Sequence, residues 1–310
     1  MASSNNNEVI SKAKPHTVKK FELIKRYIEA WAQKLLNNPR CNGVIYIDCM
    51  CNSGVYKDIY DEIVYGTPVR VAEVLTKAAE QYPHKSIQMY FNDYSSEKVA
   101  LLQKTITERT TQGLSNVSIN YTAIDGNMLL KSMSRQLNAS NNLHYFLLYD
   151  PYQAAIDWEA LAPYFRYWGE VMINHMGRDT IRAISQVTRP ETKQKYEDTY
   201  LIDDFEKLVP YGSDKEAYEQ RVGEIIDAFS RRSGRRYYVA AFPFFNRNNS
   251  WQYDLIHCTG SVEGYKLYKN SAWKVFGDKS STKNSHVDQT QLVLDFEGLG
   301  TTIQTDEEFL

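Results

Sequence analysis

Asp48, Asp93, Asp125 and Asp150 each close an apolar, strand-like run, in VIYID (44–48), IQMYFND (87–93), VSINYTAID (117–125) and HYFLLYD (144–150). A carboxylate at the carboxyl end of a parallel strand faces the crevice in which open α/β sheets bind ligands. One such acid carries little information, because Asp is a common turn residue and helix cap. Four at equivalent positions are harder to ascribe to capping alone. Directly after the first acid, YIDCMCNSG (46–54) brings in two thiols and a different chemistry. Cys49 and Cys51 would suit a metal or redox site, but zinc wants a second ligand pair at recognisable spacing. Cys258 stands alone and Cys41 precedes the strand. The segment is therefore read as a loop whose backbone approaches a ligand. Asn52 is the non-glycine residue that best tolerates the left-handed region, Ser53 is small, and Gly54 is unrestricted.

The elements needed to position these acids alternate along the chain. Phe21, Ile24, Ile28, Trp31 and Leu35 recur at helical spacing from His16 until Asn37-Asn38-Pro39 stops them. Strands are expected at 44–48, 87–93, 117–125, 144–150 and 169–176. Helices are expected at 68–82, with Pro68 in its first turn, and at 96–110, capped by Ser95 or Ser96. After Gly177 the period stays helical to about 231, interrupted by a turn at Pro210-Tyr211-Gly212. RYYVAAFPFF (236–245) and SWQYDLIHCT (250–259) then close as a hairpin through the turn 246–249. Strands separated by helices imply right-handed crossovers and a parallel sheet. Five such strands followed by a hairpin predict an α/β, Rossmann-like fold of the class I S-adenosylmethionine (SAM) methyltransferase type, with a mainly parallel seven-stranded sheet. In that fold the first-strand loop, with Asp48, Asn52 and Gly54, would approach the methionine part of SAM. Asp93 would receive the ribose hydroxyls, Asp125 the adenine amino group, and Asp150 would face the acceptor. The expected organisation is a flexible leader (1–13), one domain (14–277) with a helical insertion (178–235), and a polar tail (278–310).

Five segments carry a family resemblance: HTVKKFELIKRYIEAW (16–31), DCMCNSG (48–54), GTP (66–68), DPYQ (150–153) and DLIHCTGSVEGYKLYKNSAW (254–273). In order and spacing, over about residues 16–276, they resemble the three-Cys-motif partner proteins. That family has a Lys/His-rich first helix, a strand ending D-x-F-A-G-P-G, a G-S-P helix start and a D-P-Y-G strand end. The resemblance implies a SAM-methyltransferase-like fold and a protein partner, of radical type, that bears the three-cysteine motif. Asn52 stands where the family has Gly, Ser53 where it has Pro, and Gln153 where it has Gly. These departures alter the cofactor loop. The alternative to an enzyme is a catalytically silent methyltransferase fold that binds another protein.

For the acceptor, LLYDPYQ (147–153) resembles the D-P-P-Y loop of methyltransferases that act on exocyclic amino groups of nucleobases. There the acid and a carbonyl hold the amino group, and an aromatic ring, here Tyr152, stacks on the base. The bland counterpart is a strand-end turn with a packed Tyr. His175, ending the next strand, is a candidate general base or a hydrogen-bonded structural residue. RRSGRR supplies Arg231, Arg232, Arg235 and Arg236, which would meet phosphates or merely complement a helix dipole.

Composition limits the remaining options. The 310 residues carry a formal charge of −2, so any nucleic-acid contact must come from a local patch. Four Cys in a chain of this length do not make a disulfide framework. The start MASSNNNEVISKAKPH is no signal peptide and no stretch is apolar enough to span a bilayer, so a soluble, cytoplasmic protein without membrane contact is expected.

Overall fold

The computed structural model describes residues 9–137, 142–165, 169–184, 186–187, 189–232, 237–245 and 251–280, with side chains up to 275. The first part of the chain forms β1 (Ser11–Lys12), α1 (Pro15–Leu36), β2 (Gly43–Asp48), β3 (Val55–Lys57), β4 (Ile63–Tyr65), α2 (Thr67–Gln81), β5 (Ser86–Asn92), α3 (Ser96–Arg109), β6 (Val117–Thr122) and α4 (Gly126–Leu137). The rest forms β7 (Leu143–Tyr149), α5 (Trp158–Leu161), β8 (Gly169–His175), α6 (Gly177–Ile184), α7 (Pro190–Tyr200), α8 (Lys215–Arg232), β9 (Tyr238–Phe245), β10 (Trp251–Thr259) and α9 (Val262–Ser280).

The main sheet has seven strands in the order β6-β5-β2-β7-β8-β10-β9. β2 pairs in parallel with β5, β5 with β6, and β7 with β8, whereas β10 runs antiparallel to both β8 and β9. Counting only these strands, the order is 3-2-1-4-5-7-6. That is the class I methyltransferase version of the Rossmann fold, with its C-terminal antiparallel hairpin, as the alternation of elements predicts. Pro243 lies within β9, whose place at the sheet edge tolerates the missing N–H.

By contacts the described residues fall into two compact units. One runs to Leu129 and includes 142–144; the other takes 130–137 and everything from Tyr145 onward. In the first, β2 is buried at every position, as a central parallel strand should be. Phe21, Ile24, Ile28 and Trp31 of α1 are all buried, as the helical stripe predicts, whereas Leu35 is half-buried and Leu36 is buried instead. Ser95 caps α3 by accepting the Lys98 N–H, one of the two caps proposed. A small sheet, β1-β3-β4, was not foreseen; its β1 lies within the expected flexible leader.

β6 ends at Thr122 instead of continuing to 125. The Ile124 N–H is taken by the Asn92 side chain at 3.2 Å, and Asp125 turns the chain into α4 by accepting the Met128 N–H at 2.9 Å. In the second unit the core is aromatic: Phe165 stacks on Phe229, and Trp158 lies against both. The expected turn at Pro210 is the end of a 3-10 helix, Phe205–Tyr211. The hairpin turn 246–249, residues 1–8, the tail from 281 with its QLVLDF segment, and Arg235 and Arg236 lie outside the described residues.

Candidate functional site

In the first unit the chain leaves β2 through a loop with two left-handed residues, Asn52 (φ 58°) and Gly54 (φ 67°). Those are the positions at which the sequence allowed a positive φ. The loop is tied down along its length. The Cys51 N–H donates to Asn92 O at 2.7 Å, the Asn52 N–H to Asp93 Oδ2 at 3.0 Å, and the Gly66 N–H to Gly54 O at 2.8 Å. A Cβ on Gly54 would fall 2.6 Å from Leu102 Cδ1 and 2.8 Å from Val69 Cγ2, so this face of the glycine is turned toward the α2 and α3 side chains.

Both Asp93 oxygens are engaged: Oδ2 with the loop, and Oδ1 with the Ser95 N–H at 2.9 Å. Asp125 is exposed, with one oxygen used in capping α4. Asp48 is buried, and Tyr46 Oη donates to its Oδ2 at 3.5 Å. At 1% exposure it does not reach the surface of the protein.

Two features went unremarked in the sequence. The Asn92 side chain joins three strand ends: Nδ2 donates to Cys49 O and Ile124 O, both at 2.9 Å, while Oδ1 accepts from Thr122 Oγ1 at 2.8 Å and from the Ile124 N–H. Beside the two acids stand large exposed apolar residues: Tyr94 (84% exposed), Ile124 (43%) and Met128 (67%). Their signal was present, since Tyr94 follows Asp93 and Ile124 precedes Asp125, but an isolated exposed apolar residue is ordinary. Grouped with strand-end acids, they suit a flat ring with polar edges. Cys49 and Cys51 are buried, and burial, then the charges of Asp48 and Asp93, push the Cys51 thiol well up. A thiol in that setting stays protonated and packs as a small apolar group.

In the second unit, Asp150 follows β7 and accepts a hydrogen bond from Asn174 Nδ2 of β8 at 2.6 Å. Pro151 is buried and Tyr152 is 52% exposed, so the ring is accessible for stacking. Lys195 of α7 donates to Gln153 Oε1 and holds the end of the DPYQ segment. His175 is placed differently from a rim base. It is wholly buried, its Nε2 lies 3.0 Å from Tyr200 Oη, and Tyr200 Oη also meets Thr180 Oγ1 at 2.8 Å. Its Nδ1 faces Asp254 Oδ2 at 3.7 Å. Burial lowers its pKa to about 4, so it is neutral, but no acceptor outside the fold can reach it.

Around His175 lies a buried polar cluster. Trp251 Nε1 donates to Asp254 Oδ1 at 2.9 Å, and Lys215 pairs with Glu219. Burial raises both carboxyls, Glu219 further because Asp254 adds its charge. Of the Arg-rich segment, Arg231 pairs with Asp227 at 2.6 Å and Arg232 lies over the Phe229 ring at 5.6 Å.

No protein-family model and no curated protein matches the chain. Among solved structures it resembles Trm1 from Pyrococcus horikoshii in complex with S-adenosyl-L-methionine, at 10% identity and TM-score 0.43, over 87% of this chain and 61% of that one. It also resembles the cyclopropane synthase MmaA2 from Mycobacterium tuberculosis, at 10% identity and TM-score 0.31, over 85% and 73%. A third is geranyl diphosphate methyltransferase in complex with GPP and sinefungin, at 13% identity and TM-score 0.27, over 75% and 78%. The chain thus spans about three fifths of the length of the Pyrococcus protein. The fold assignment stands on the hydrogen-bonded strand order. Among the described residues no helix is long and apolar enough to cross a membrane, and no cluster of three His, Cys, Asp or Glu side chains is arranged to hold a metal.

Proposed function

We propose that this chain binds SAM at the 49–54 loop and uses it to methylate an amino group presented to Asp150 and Tyr152. One observation carries the cofactor half. Asp93 and Asp125 stand just beyond two neighbouring parallel strands, beside a left-handed loop and the exposed Tyr94, Ile124 and Met128. The acids match ribose hydroxyls and an amino edge, and the apolar residues match the faces of a purine. Bound there, SAM would supply an electrophilic methyl group. The chain's own task is to orient an acceptor and exclude water. Asp150 has one oxygen held by Asn174 Nδ2. That bond fixes the orientation of a carboxylate that would accept from a substrate amino group, while Tyr152 offers a ring for stacking. A nucleobase amino group is the acceptor this pairing suits best. His175 has no part in the proposal.

Within this reading the chain is a member of the three-Cys-motif partner group acting in the cytoplasm. The catalytically silent alternative is favoured by one specific observation: Asp93 is only 3% exposed and already holds two backbone N–H groups. Calorimetric titration with SAM and with its demethylated product separates the two. The enzyme predicts saturable heat and a ligand-induced rise in melting temperature, with both weakened in Asp125→Ala. If neither ligand gives heat or a melting shift, the fold is a scaffold for its partner.

A further inference from the structure

The basic residue that touches the DPYQ segment, Lys195, is not part of the Arg-rich stretch singled out in the sequence. Arg178 and Arg182 lie four residues apart on α6, so they share a helix face. The charges of Arg182, Lys195 and Arg178 all act on Asp179, which lies between the two arginines in the chain. Lys195 also reaches across to Gln153, the neighbour of Tyr152, through a neutral amide and not a carboxylate. Lys195 thus lies beside the exposed Tyr152, and the charges of Arg178 and Arg182 act on the same Asp179 as the Lys195 charge does. Three other basic residues of this unit are in ion pairs: Lys193 with Glu206 at 2.8 Å, Arg221 with Glu224 at 3.1 Å, and Arg231 with Asp227 at 2.6 Å. Among the described residues Arg178 and Lys195 are in no ion pair. Burial, then the Arg182 charge, pushes Arg178 below the usual arginine value, and burial pushes Lys195 down too. Burial is the first cause in both, and an anion bound beside them would favour their charged forms.

We propose that Arg178, Arg182 and Lys195 bind the sugar-phosphate backbone of a single-stranded nucleic acid, one base of which stacks on Tyr152, a proposal that rests on the methyl-transfer reading of the DPYQ segment. Backbone contacts of this kind set affinity and register, while the stacked base presents its amino edge to Asp150. Single strands fit better than duplex, because a base can stack on Tyr152 only when it has left its own stack.

The test is fluorescence anisotropy with a mixed-sequence RNA of about 12 nucleotides, a length within the usual single-strand site sizes, and with DNA of the same sequence. It is run across salt concentrations, with SAM titration of the same protein in parallel. The combined Arg178→Gln, Arg182→Gln, Lys195→Gln variant should lower the slope of log affinity against log salt by about 2, at roughly 0.7 per lost single-strand contact. Arg231→Gln with Arg232→Gln should leave the slope unchanged. A preference for RNA or for DNA would identify the sugar being read, and equal binding would mean that only phosphate and stacking matter. The proposal is overturned if the triple variant, melting like the wild type, keeps the wild-type slope, or if the wild type binds neither oligonucleotide at low salt. The SAM titration keeps the two readings apart. Saturable SAM binding without oligonucleotide binding would leave methyl transfer standing and this surface wrong. Oligonucleotide binding that depends on α6 and α7 without SAM binding would do the reverse.

Discussion

Asp93 Oδ2 accepts the Asn52 N–H at 3.0 Å, so the acid that ends the β5 segment braces the loop that leaves β2. The same carboxylate fixes the Ser95 N–H at the approach to α3. Any role toward a ligand is thus added to a structural one. Asp93→Ala leaves two inward-facing N–H groups without partners and should cost about 2–4 kcal/mol of stability. Asp93→Asn, which keeps one acceptor oxygen, should lose about half as much. Urea unfolding of the ligand-free protein reads this directly. A wild-type midpoint for Asp93→Ala would mean that the brace contributes nothing.

Gly54 is constrained from its far side. With φ at 67° and a Cβ that would press on Leu102 and Val69, Gly54→Val should cost about 2–4 kcal/mol from left-handed strain and overpacking together. A ligand-contact role alone would produce the opposite separation, lost SAM binding with an intact fold. A melting temperature unchanged in Gly54→Val would show that the loop relaxes freely.

The buried carboxyls give stability a defined dependence on pH. Burial, then the Asp254 charge, pushes Glu219 from an ordinary 4.5 up to about 9. Across that window the folded state keeps a proton that the unfolded chain gives up, so stability falls as pH rises through it. His175, lowered by burial from 6.5 to about 4, acts at the other end, where stability is lost as pH falls between those values. Lys215 is the neighbouring cation that offsets one negative charge of the pair. Melting temperature should therefore decline from pH 7 to 9. Glu219→Gln, permanently neutral, should flatten that decline; a parallel decline in the variant would place the titration elsewhere.

All four cysteines are free and buried. Native protein should react slowly with a thiol-specific disulfide reagent, and all four should react once it is unfolded in guanidinium. Rapid native labelling of Cys49 or Cys51, located by peptide mapping, would revive the redox alternative for the first-strand loop.

Tyr152→Ala should weaken single-stranded oligonucleotide binding by about 1–3 kcal/mol, and Tyr152→Phe should retain most of it, because the ring and not the hydroxyl stacks. SAM affinity should not change in either variant. Equal oligonucleotide affinity in wild type and Tyr152→Ala would remove the stacking contact.

The sheet was legible because its strands announce themselves. The run at 44–48 is buried at every position, and 144–149 is nearly so, as parallel strands demand. The positive φ values at Asn52 and Gly54 were also legible, since few residue types accept that region. What the sequence withheld was direction. His175 ends a strand as expected, yet its ring points inward to Tyr200 and Asp254, a choice made by residues 25 and 79 positions away. The small β1-β3-β4 sheet escaped notice because strands of two and three residues carry no periodicity. Arg178 and Lys195 were passed over because their grouping depends on how α6 and α7 pack, not on adjacency in the chain.

Asn92 uses two donor and two acceptor positions on one short side chain. Few of the other side chains could replace it. Asp has no N–H to give, Gln places its amide one methylene too far out, Ser and Thr have a single hydroxyl, and a hydrophobic residue would leave the Cys49 and Ile124 carbonyls unpaired. In a library covering every substitution along the chain, selected only for folded protein, this position should tolerate almost nothing. Its neighbour Tyr94, 84% exposed, should accept nearly any residue under the same selection. Repeating the selection for ligand binding should narrow Tyr94 sharply while leaving the Asn92 profile as it was, so the contrast between the two screens would distinguish scaffold from site without any acceptor being known.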